Sequence, residues 1–326
     1  MLILTKSVLA LMVGFLCAVV VGLILIPILK KINFGQKISE YVREYHRKKE
    51  GIPTMGGLIF IIPTIVGIVY LVCSGKIVMT YNLKIVLTVF ISYAILGFID
   101  DYLSIKKGEN EGLTVAQKFL GQILIALVFF IIYMKYNGNT NFTVTTLGID
   151  IDLGFGYGLF ILLLLVGFSN AVNLTDGLDG LAGGLSAIAF IAYALISIFI
   201  GVEDMGIFCF LLVGALLGFL MFNGYPARVF MGDCGSLSLG ATLATVAILT
   251  RREITLFVVG FVFIVETLSV IIQVFWYKKK HKRVFLMTPI HHHFEKRGFA
   301  EPDIVKAFWL VGIICSLLGI FFAVWI

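Results

Sequence analysis

Ile95-Leu96-Gly97-Phe98-Ile99-Asp100-Asp101-Tyr102 closes a mostly apolar run that begins at residue 83 and carries no charge after Lys84. A run of that length is a membrane-span candidate. An Asp costs about 2.5 to 3.5 kcal/mol at the centre of an inserted helix and less at the interface, so the acid pair marks where the helix meets water. Adjacent carboxylates repel, and one pKa rises unless a cation or hydrogen-bond donors compensate. A divalent metal or a lysine is the natural partner; the plain alternative is a pair of solvated acids ending a span.

Working outward, the chain has 326 residues, 60% of them hydrophobic and 13% charged, with a mean hydropathy of +1.05. Such values exclude an ordinary soluble domain and define an all-α polytopic membrane protein, read as one integral membrane domain over 1–326. Ten transmembrane helices are expected, over 7–29, 55–73, 83–100, 117–134, 157–172, 181–200, 205–222, 235–250, 254–276 and 304–326. The first is too long for a signal peptide and lacks a small-residue cleavage site, so it is kept as a span. Cys17, Cys73, Cys209, Cys234 and Cys315 show no CxxC spacing, and imply neither disulfides nor zinc.

The connecting loops fall into two alternating sets. One set (30–54, 101–116, 173–180, 223–234 and 277–303), with Lys118 and Lys306 just inside the next helices, holds 19 of the 25 Lys and Arg residues. The other set holds Lys6, Lys76, Lys84, Lys135, Arg251 and Arg252. The positive-inside rule therefore places the first set in the cytoplasm and both termini outside. The net charge of +6 is a topology signal with some attraction for anionic substrates and lipid headgroups, and leaves no nucleic-acid footprint. Outside, Asn137 to Gly156 contains Thr143-Val144-Thr145 and Ile149-Asp150-Ile151 between turn residues, a small extracytoplasmic β-hairpin.

Nearly every unusual residue collects in the inner loops. Asn173-Leu174-Thr175-Asp176-Gly177-Leu178-Asp179-Gly180 combines an Asn, two Asp and glycines that let backbone N–H groups approach a ligand, where a mere helix cap needs one such residue. Asn223-Gly224-Tyr225-Pro226-Ala227-Arg228-Val229-Phe230-Met231-Gly232-Asp233-Cys234-Gly235-Ser236 ends in an acidic turn that opens a helix. Asp233 is a metal-ligand candidate, and Phe230 is a stacking platform or a membrane anchor. Lys278, Lys279, Lys280, Lys282 and Arg283 are a topology and headgroup signal. Thr288-Pro289-Ile290-His291-His292-His293 lacks the spacing of a helical zinc site; phosphate contact, water-mediated metal contact and plain turn structure all stay open. Lys48-Lys49-Glu50-Gly51-Ile52-Pro53-Thr54-Met55-Gly56-Gly57 leads a cationic segment into a Gly-rich span entry suited to a diphosphate. Glu266, alone near the middle of a span, reads as structural. Acids for one divalent metal, a cationic clamp, and an aromatic with Asn/Asp acceptors together point to phosphoryl transfer at the membrane surface.

ILGFIDDYL, NAVNLTDGLDGLAGG, NGYPARVFMGDCGS, ETLSVIIQ and TPIHHHFEKRG, in this order, resemble the phospho-N-acetylmuramoyl-pentapeptide transferase family of the polyprenyl-phosphate N-acetylhexosamine-1-phosphate transferase superfamily. The resemblance spans the whole chain. It implies a ten-helix bacterial inner-membrane enzyme that moves phospho-MurNAc-pentapeptide from UDP-MurNAc-pentapeptide to undecaprenyl phosphate, giving lipid I and UMP with Mg²⁺. It places catalytic roles on Asp100, Asp101, Asp233, Lys118, His291 and His292, with Asp233 as principal Mg²⁺ ligand. Substrate binding falls on Gly177, Leu178, Asp179 and Phe230 for uridine, with Asn173, Asp176 and Asn223 in the same cleft, and with Lys49, Thr54 and His293. The implied partners are the two substrates and the bilayer; a homodimer is left open. Two positions depart from the family's pattern: Cys234 stands for Thr in the acidic turn, and Ile52 for Thr before Pro53. Of the alternatives, a GlcNAc-1-phosphate transferase shares the aspartates but resembles its relatives in a His-x-His-His run. A cation-coupled transporter would carry its acids at mid-membrane.

Overall fold

In a lipid environment each backbone N–H and C=O must be satisfied within its own segment, so long apolar runs fold as helices. A computed structural model of the chain describes residues 3–32, 49, 51–107, 112–136, 138–144 and 148–324. Among these the order is α1 (Ile3–Lys31), α2 (Leu58–Cys73), α3 (Tyr81–Lys107), α4 (Val115–Tyr136), β1 (Asn141–Val144), β2 (Ile149–Asp152), α5 (Gly156–Thr175), α6 (Leu181–Phe199), α7 (Glu203–Asn223), α8 (Asp233–Leu249), α9 (Glu253–Val259), α10 (Phe261–Lys280), α11 (Ile290–Lys296) and α12 (Glu301–Val324).

Eight of these helices (α1, α3, α4, α5, α6, α7, α10 and α12) are long and apolar enough to cross a membrane. Two further apolar helices, α2 and α8, are shorter, at 16 and 17 residues. The run expected as a single span over 254–276 is divided into α9 and α10 at Gly260, whose N–H still reaches the Leu256 carbonyl at 2.8 Å. The interruption lies six residues before Glu266, which itself sits within α10. The expected hairpin is an antiparallel pair in which Asn141 faces Asp152 and Val144 faces Ile149. Its tip, including Thr145, and most of the first basic loop, including Lys48 and Glu50, lie outside the described residues.

Helix α8 is the axis of the bundle. Every residue from Cys234 to Leu249 is buried, so its neighbours surround it, α3 and α5 most closely. Close approach needs residues without bulk: a Cβ on Gly97 of α3 would lie 2.2 Å from the Asp233 carbonyl oxygen. At α1 and α7 the fit is reciprocal. A Cβ on Gly14 would meet the Leu211 carbonyl at 2.1 Å, and one on Gly214 the Leu11 carbonyl at 2.0 Å. Small residues at such crossings let van der Waals contact hold helices together where lipid offers no hydrophobic drive. The outward faces of α1, α4, α10 and α12 stay apolar and exposed, as at Leu16, Ile131, Ile271 and Leu317.

Candidate active site

Because the helices alternate in direction, the C-termini of α3, α5 and α7 gather at one end with the N-termini of α4, α6, α8 and α12. Asp101, buried in the last turns of α3, accepts hydrogen bonds from the backbone N–H of Asp233 at 3.1 Å and of Cys234 at 3.0 Å. It thereby caps the first turn of α8 from another helix, meeting the orphan amides and the positive end of the helix dipole. Gly232 precedes that turn with φ +75, and a Cβ there would sit 2.7 Å from both the Asp101 carboxylate and the Thr54 hydroxyl.

This anchoring aims the Asp233 side chain into a cluster of charge. Asp233 pairs with the Lys118 ammonium, and its other oxygen accepts a hydrogen bond from Asn173 Nδ2 at 2.6 Å. Asn173 Nδ2 also lies 2.8 Å from Ser236 Oγ, one turn along α8. Asp100 stands 3.6 Å from the same ammonium, contacts the Asp233 carboxyl, and accepts the Leu113 N–H at 2.8 Å. Asp176 completes the group from the loop after α5. Burial and the nearby Asp233 charge push its pKa up to about 7, opposed by a hydrogen bond from the Gly232 N–H. Four acids therefore gather where one lysine pairs with two of them, a crowding that favours a further cation or a protonated member.

A second network lies alongside. Lys49 Nζ bonds Asp179 Oδ1 and Glu301 Oε1, both at 2.6 Å. Glu301 also accepts the Asp179 N–H at 2.7 Å, and Asp179 Oδ2 accepts the Ala227 N–H at 2.9 Å. Asn223, buried at the end of α7, accepts the Gly180 N–H at 3.1 Å and donates to the Val229 carbonyl at 3.0 Å. Together these bonds lock loop 176–180 to loop 224–232. Leu178 is buried beneath the first loop while Gly177 is exposed on it. Phe230 is held through its backbone, its N–H donating to Pro53 and its carbonyl accepting from Gly56, each at 2.8 Å, and its ring is half-buried. Thr54 is buried beside it.

The three histidines do different things. His291 is fully buried, its Nδ1 3.1 Å from Glu266 Oε1 and its Nε2 directly under Gly177. His292 Nδ1 bonds Glu295 Oε2 at 2.5 Å. His293 Nδ1 accepts the Leu286 N–H at 3.1 Å and so folds the preceding loop back on α11.

The structure thus brings Asp100, Asp101, Lys118, Asn173, Asp176 and Asp233 into one cluster, sets Lys49, Thr54, Gly177, Leu178, Asp179, Asn223 and Phe230 beside it, and turns His293 to local structure. Sequence reasoning missed Glu301 and Ser236. An acid in the first turn of a helix reads as an ordinary dipole partner, and a serine near a helix start as a cap, so neither carried a distinguishing signal.

Comparison with known proteins adds independent findings. Residues 83–251 match the model of glycosyl transferase family 4, and residues 49–61 match phospho-N-acetylmuramoyl-pentapeptide-transferase signature 1. The chain is similar to proteins named phospho-N-acetylmuramoyl-pentapeptide-transferase from three organisms. The one from Geobacillus thermodenitrificans is 47% identical over 319 residues, 98% of either chain. The one from Bacillus subtilis is 45% identical over 97% of either chain, and that from Staphylococcus carnosus 48% identical over 96% of this chain and 98% of its own.

Proposed function

Given that the chain belongs to the phospho-N-acetylmuramoyl-pentapeptide-transferase family, we propose that its cluster of acids around Lys118 is the place where phospho-MurNAc-pentapeptide passes from UDP-MurNAc-pentapeptide to undecaprenyl phosphate, releasing UMP and forming lipid I. The observation that carries this reading is Lys118, held between Asp233 and Asp100 at 3.6 Å from the latter, beside loops rich in backbone donors. A diphosphate and a monophosphate brought together repel, and one fixed ammonium between carboxylates is set to align them.

The residues present fit Mg²⁺. The place between Asp100 and Asp233 already attracts positive charge. Among the described residues no group of three or more His, Cys, Asp or Glu is arranged to hold a metal by protein alone. Mg²⁺ fits that donor set, since it takes one or two carboxylates together with substrate phosphates. Asp233 is its proposed ligand; when bound, the ion neutralises charge on the diphosphate. Asp101, with both oxygens on the α8 amides, keeps Asp233 in position.

In the proposed reaction an acceptor phosphate oxygen forms a bond to the β-phosphorus of the donor, and the bond from that phosphorus to the bridging oxygen breaks, with UMP leaving. A phosphomonoester has a second pKa of about 6, so near pH 7 the acceptor is mostly dianion and needs little help from a base. Asp100 takes any remaining acceptor proton. Lys118 aligns the phosphates, Phe230 stacks on uracil, and loop 176–179 with Asn173 and Asn223 frames the nucleotide. Lys49 and Thr54 belong to the diphosphate side, and His291 and His292 to the sugar-phosphate side.

We place ten spans around this site, the eight long helices together with α2 and α8, with the short α9 continuing into α10 as one crossing. In this arrangement the site faces the cytoplasm of a bacterial cell, and both termini and the hairpin lie outside, by the division of basic residues. The test offers purified protein each UDP-sugar in turn with undecaprenyl phosphate and Mg²⁺. Lipid I from the MurNAc-pentapeptide donor alone is the expected result; a lipid-linked GlcNAc product would move the donor assignment. A covalent aspartyl-phosphate route would appear as labelled UMP exchanging into the donor in enzyme free of lipid phosphate, and none is expected.

A further inference from the structure

Glu266 and His291 lie 25 residues apart in sequence, and each is wholly buried. Glu266 comes from α10, inside a predicted span, and His291 from the short helix α11, where it turns inward. A carboxylate only accepts hydrogen bonds, so the 3.1 Å contact fixes the proton on Nδ1 and leaves Nε2 as the free ring atom. Nε2 is buried and has no hydrogen-bond partner among the described residues; Glu266 Oε2 has none either. Here two such atoms meet in one buried pair, and each is costly to leave without a partner.

Nε2 points at Gly177. A Cβ at that position would lie 2.3 Å from it, with the ring carbons at 2.8 and 3.3 Å, so the imidazole edge rests against the backbone of the loop that frames the donor nucleotide. That loop is tied down from its other side by Asp179, through Ala227 and Lys49, and by Asn223 through Gly180. At Gly177 itself the N–H donates to the Thr175 carbonyl at 2.9 Å, and the His291 ring packs against the backbone from below, with its orientation set by Glu266.

We infer that Glu266 is a positioning residue for the donor subsite: through its hydrogen bond it orients His291, and the oriented ring sets the height of the Gly177 backbone in the loop that frames the bound UDP-sugar. The inference rests on the placement of the donor at loop 176–179. It assigns a role to a carboxylate buried far from the acid cluster, which its pairing with His291 links to substrate binding rather than to the phosphoryl transfer step itself. Acids buried in a span are rare and usually paired, and Glu266 has His291 as its partner.

The experiment uses full-length enzyme in detergent and measures kcat and the two KM values for Glu266→Ala, Glu266→Gln, His291→Ala and the Glu266→Ala/His291→Ala double variant. Glu266→Ala is expected to raise the donor KM at least about tenfold, with the lipid KM little changed and the melting temperature lowered by the loss of a buried partner. Glu266→Gln, which keeps an acceptor oxygen for Nδ1–H, restores most of the loss. The double variant is no worse than His291→Ala alone, because the acid acts only through the ring. A wild-type donor KM in Glu266→Ala, losses that multiply in the double variant, or Gln as damaging as Ala would each overturn the inference. Should the alanine variants fail to fold, Gly177→Ala presses on the same ring from the other side and is expected to raise the donor KM alone. An unchanged donor KM there counts against the inference. Nitrogen-15 spectra of the histidines report the ring independently of turnover: a His291 Nδ1–H tautomer that is lost in Glu266→Ala is expected, and a tautomer indifferent to that change overturns the role. An inactive wild-type enzyme with the MurNAc donor would instead count against the donor assignment, and the spectra would still decide the pairing.

Discussion

The bundle carries buried or half-buried charge at both ends, and the two ends handle it differently. At the hairpin end, Arg251 donates to the Tyr133 hydroxyl and the Asn139 carbonyl, each at 3.3 Å, and to the Asn141 carbonyl. Arg252 Nε reaches the Ala323 carbonyl at 3.1 Å, and Tyr157 donates to the buried Glu253. There two cations face one acid, and the balance is made by carbonyls and phenols that hold the strands, α9 and α12 together. At the opposite end four acids gather where Lys118 pairs with two of them, and backbone N–H groups with Asn173 supply the other donors. The hairpin end is tied together by its own side chains, with Glu253 Oε2 left without a hydrogen-bond partner among the described residues; the acid end is the one proposed to be completed by cations and phosphates. The difference teaches that buried charge becomes informative when its partners do not balance it.

The sharpest way to break this comparison is Asp233→Asn. If the acid end exists to gather cation and phosphate, the neutral variant loses Mg²⁺-dependent turnover by at least about a hundredfold, while its melting temperature stays near that of the wild type. The loss should be greatest at low Mg²⁺. Full activity at submillimolar Mg²⁺ would remove Asp233 as ligand.

Next in size is Phe230→Ala. Base stacking on an aromatic contributes roughly 1 to 3 kcal/mol, so the donor KM is expected to rise about one to two orders of magnitude with little change for the lipid. The ring is free to serve because its backbone, rather than its side chain, carries the bonds to Pro53 and Gly56. A raised lipid KM with an unchanged donor KM would make Phe230 a membrane anchor instead.

The hairpin end should respond in the reverse sense. Arg251→Ala removes several donors at once and takes the guanidinium away from the Asn141 carbonyl of β1, at a cost of about 1 to 3 kcal/mol of stability. Turnover per folded molecule is expected to change less than about twofold. Thermal unfolding and kcat measured on the same preparation test this; a large fall in kcat with unchanged stability would show that the two ends are not separate in function.

Much of this contrast was legible in sequence, for reasons that can be traced to particular residues. The apolar runs gave the crossings, since lipid forces the backbone into helices, and Asp100-Asp101 marked an end because acids avoid the bilayer centre. What the sequence did not separate was one buried acid from another. Asp101 and Asp233 both read as catalytic acids and Asp176 and Asp179 as substrate-binding ones, yet Asp101 caps α8 and Asp179 is tied to Lys49, Glu301 and Ala227. Such roles depend on which donors the fold delivers from 48 or 132 residues away. Gly260, one glycine among many in apolar segments, gave no local sign that it divides a crossing in two. Glu266 and His291 were each conspicuous, but their meeting depends on α11 folding back against α10.

The smallest expected effect concerns orientation, which fixes the side on which each end works. The nineteen-to-six division of Lys and Arg places the hairpin outside and the acid cluster inside. A cysteine near the hairpin tests this at the cost of one turn hydrogen bond, which Asn139 Oδ1 accepts from the Asn141 N–H at 2.9 Å. Gly138 holds φ +61, so exposed Asn139 is the better position. Cys73 is exposed at the end of α2 and must first be changed to serine, because it would report from the same side. In that background Asn139→Cys should react with a membrane-impermeant maleimide from outside intact cells, with activity unchanged within about twofold. Lys282→Cys, exposed after α10, should react only in inverted vesicles. Asn139→Cys labelled only in inverted vesicles would reverse the orientation and put the acid cluster on the side away from a cytoplasmic nucleotide donor, which the proposed reaction does not survive.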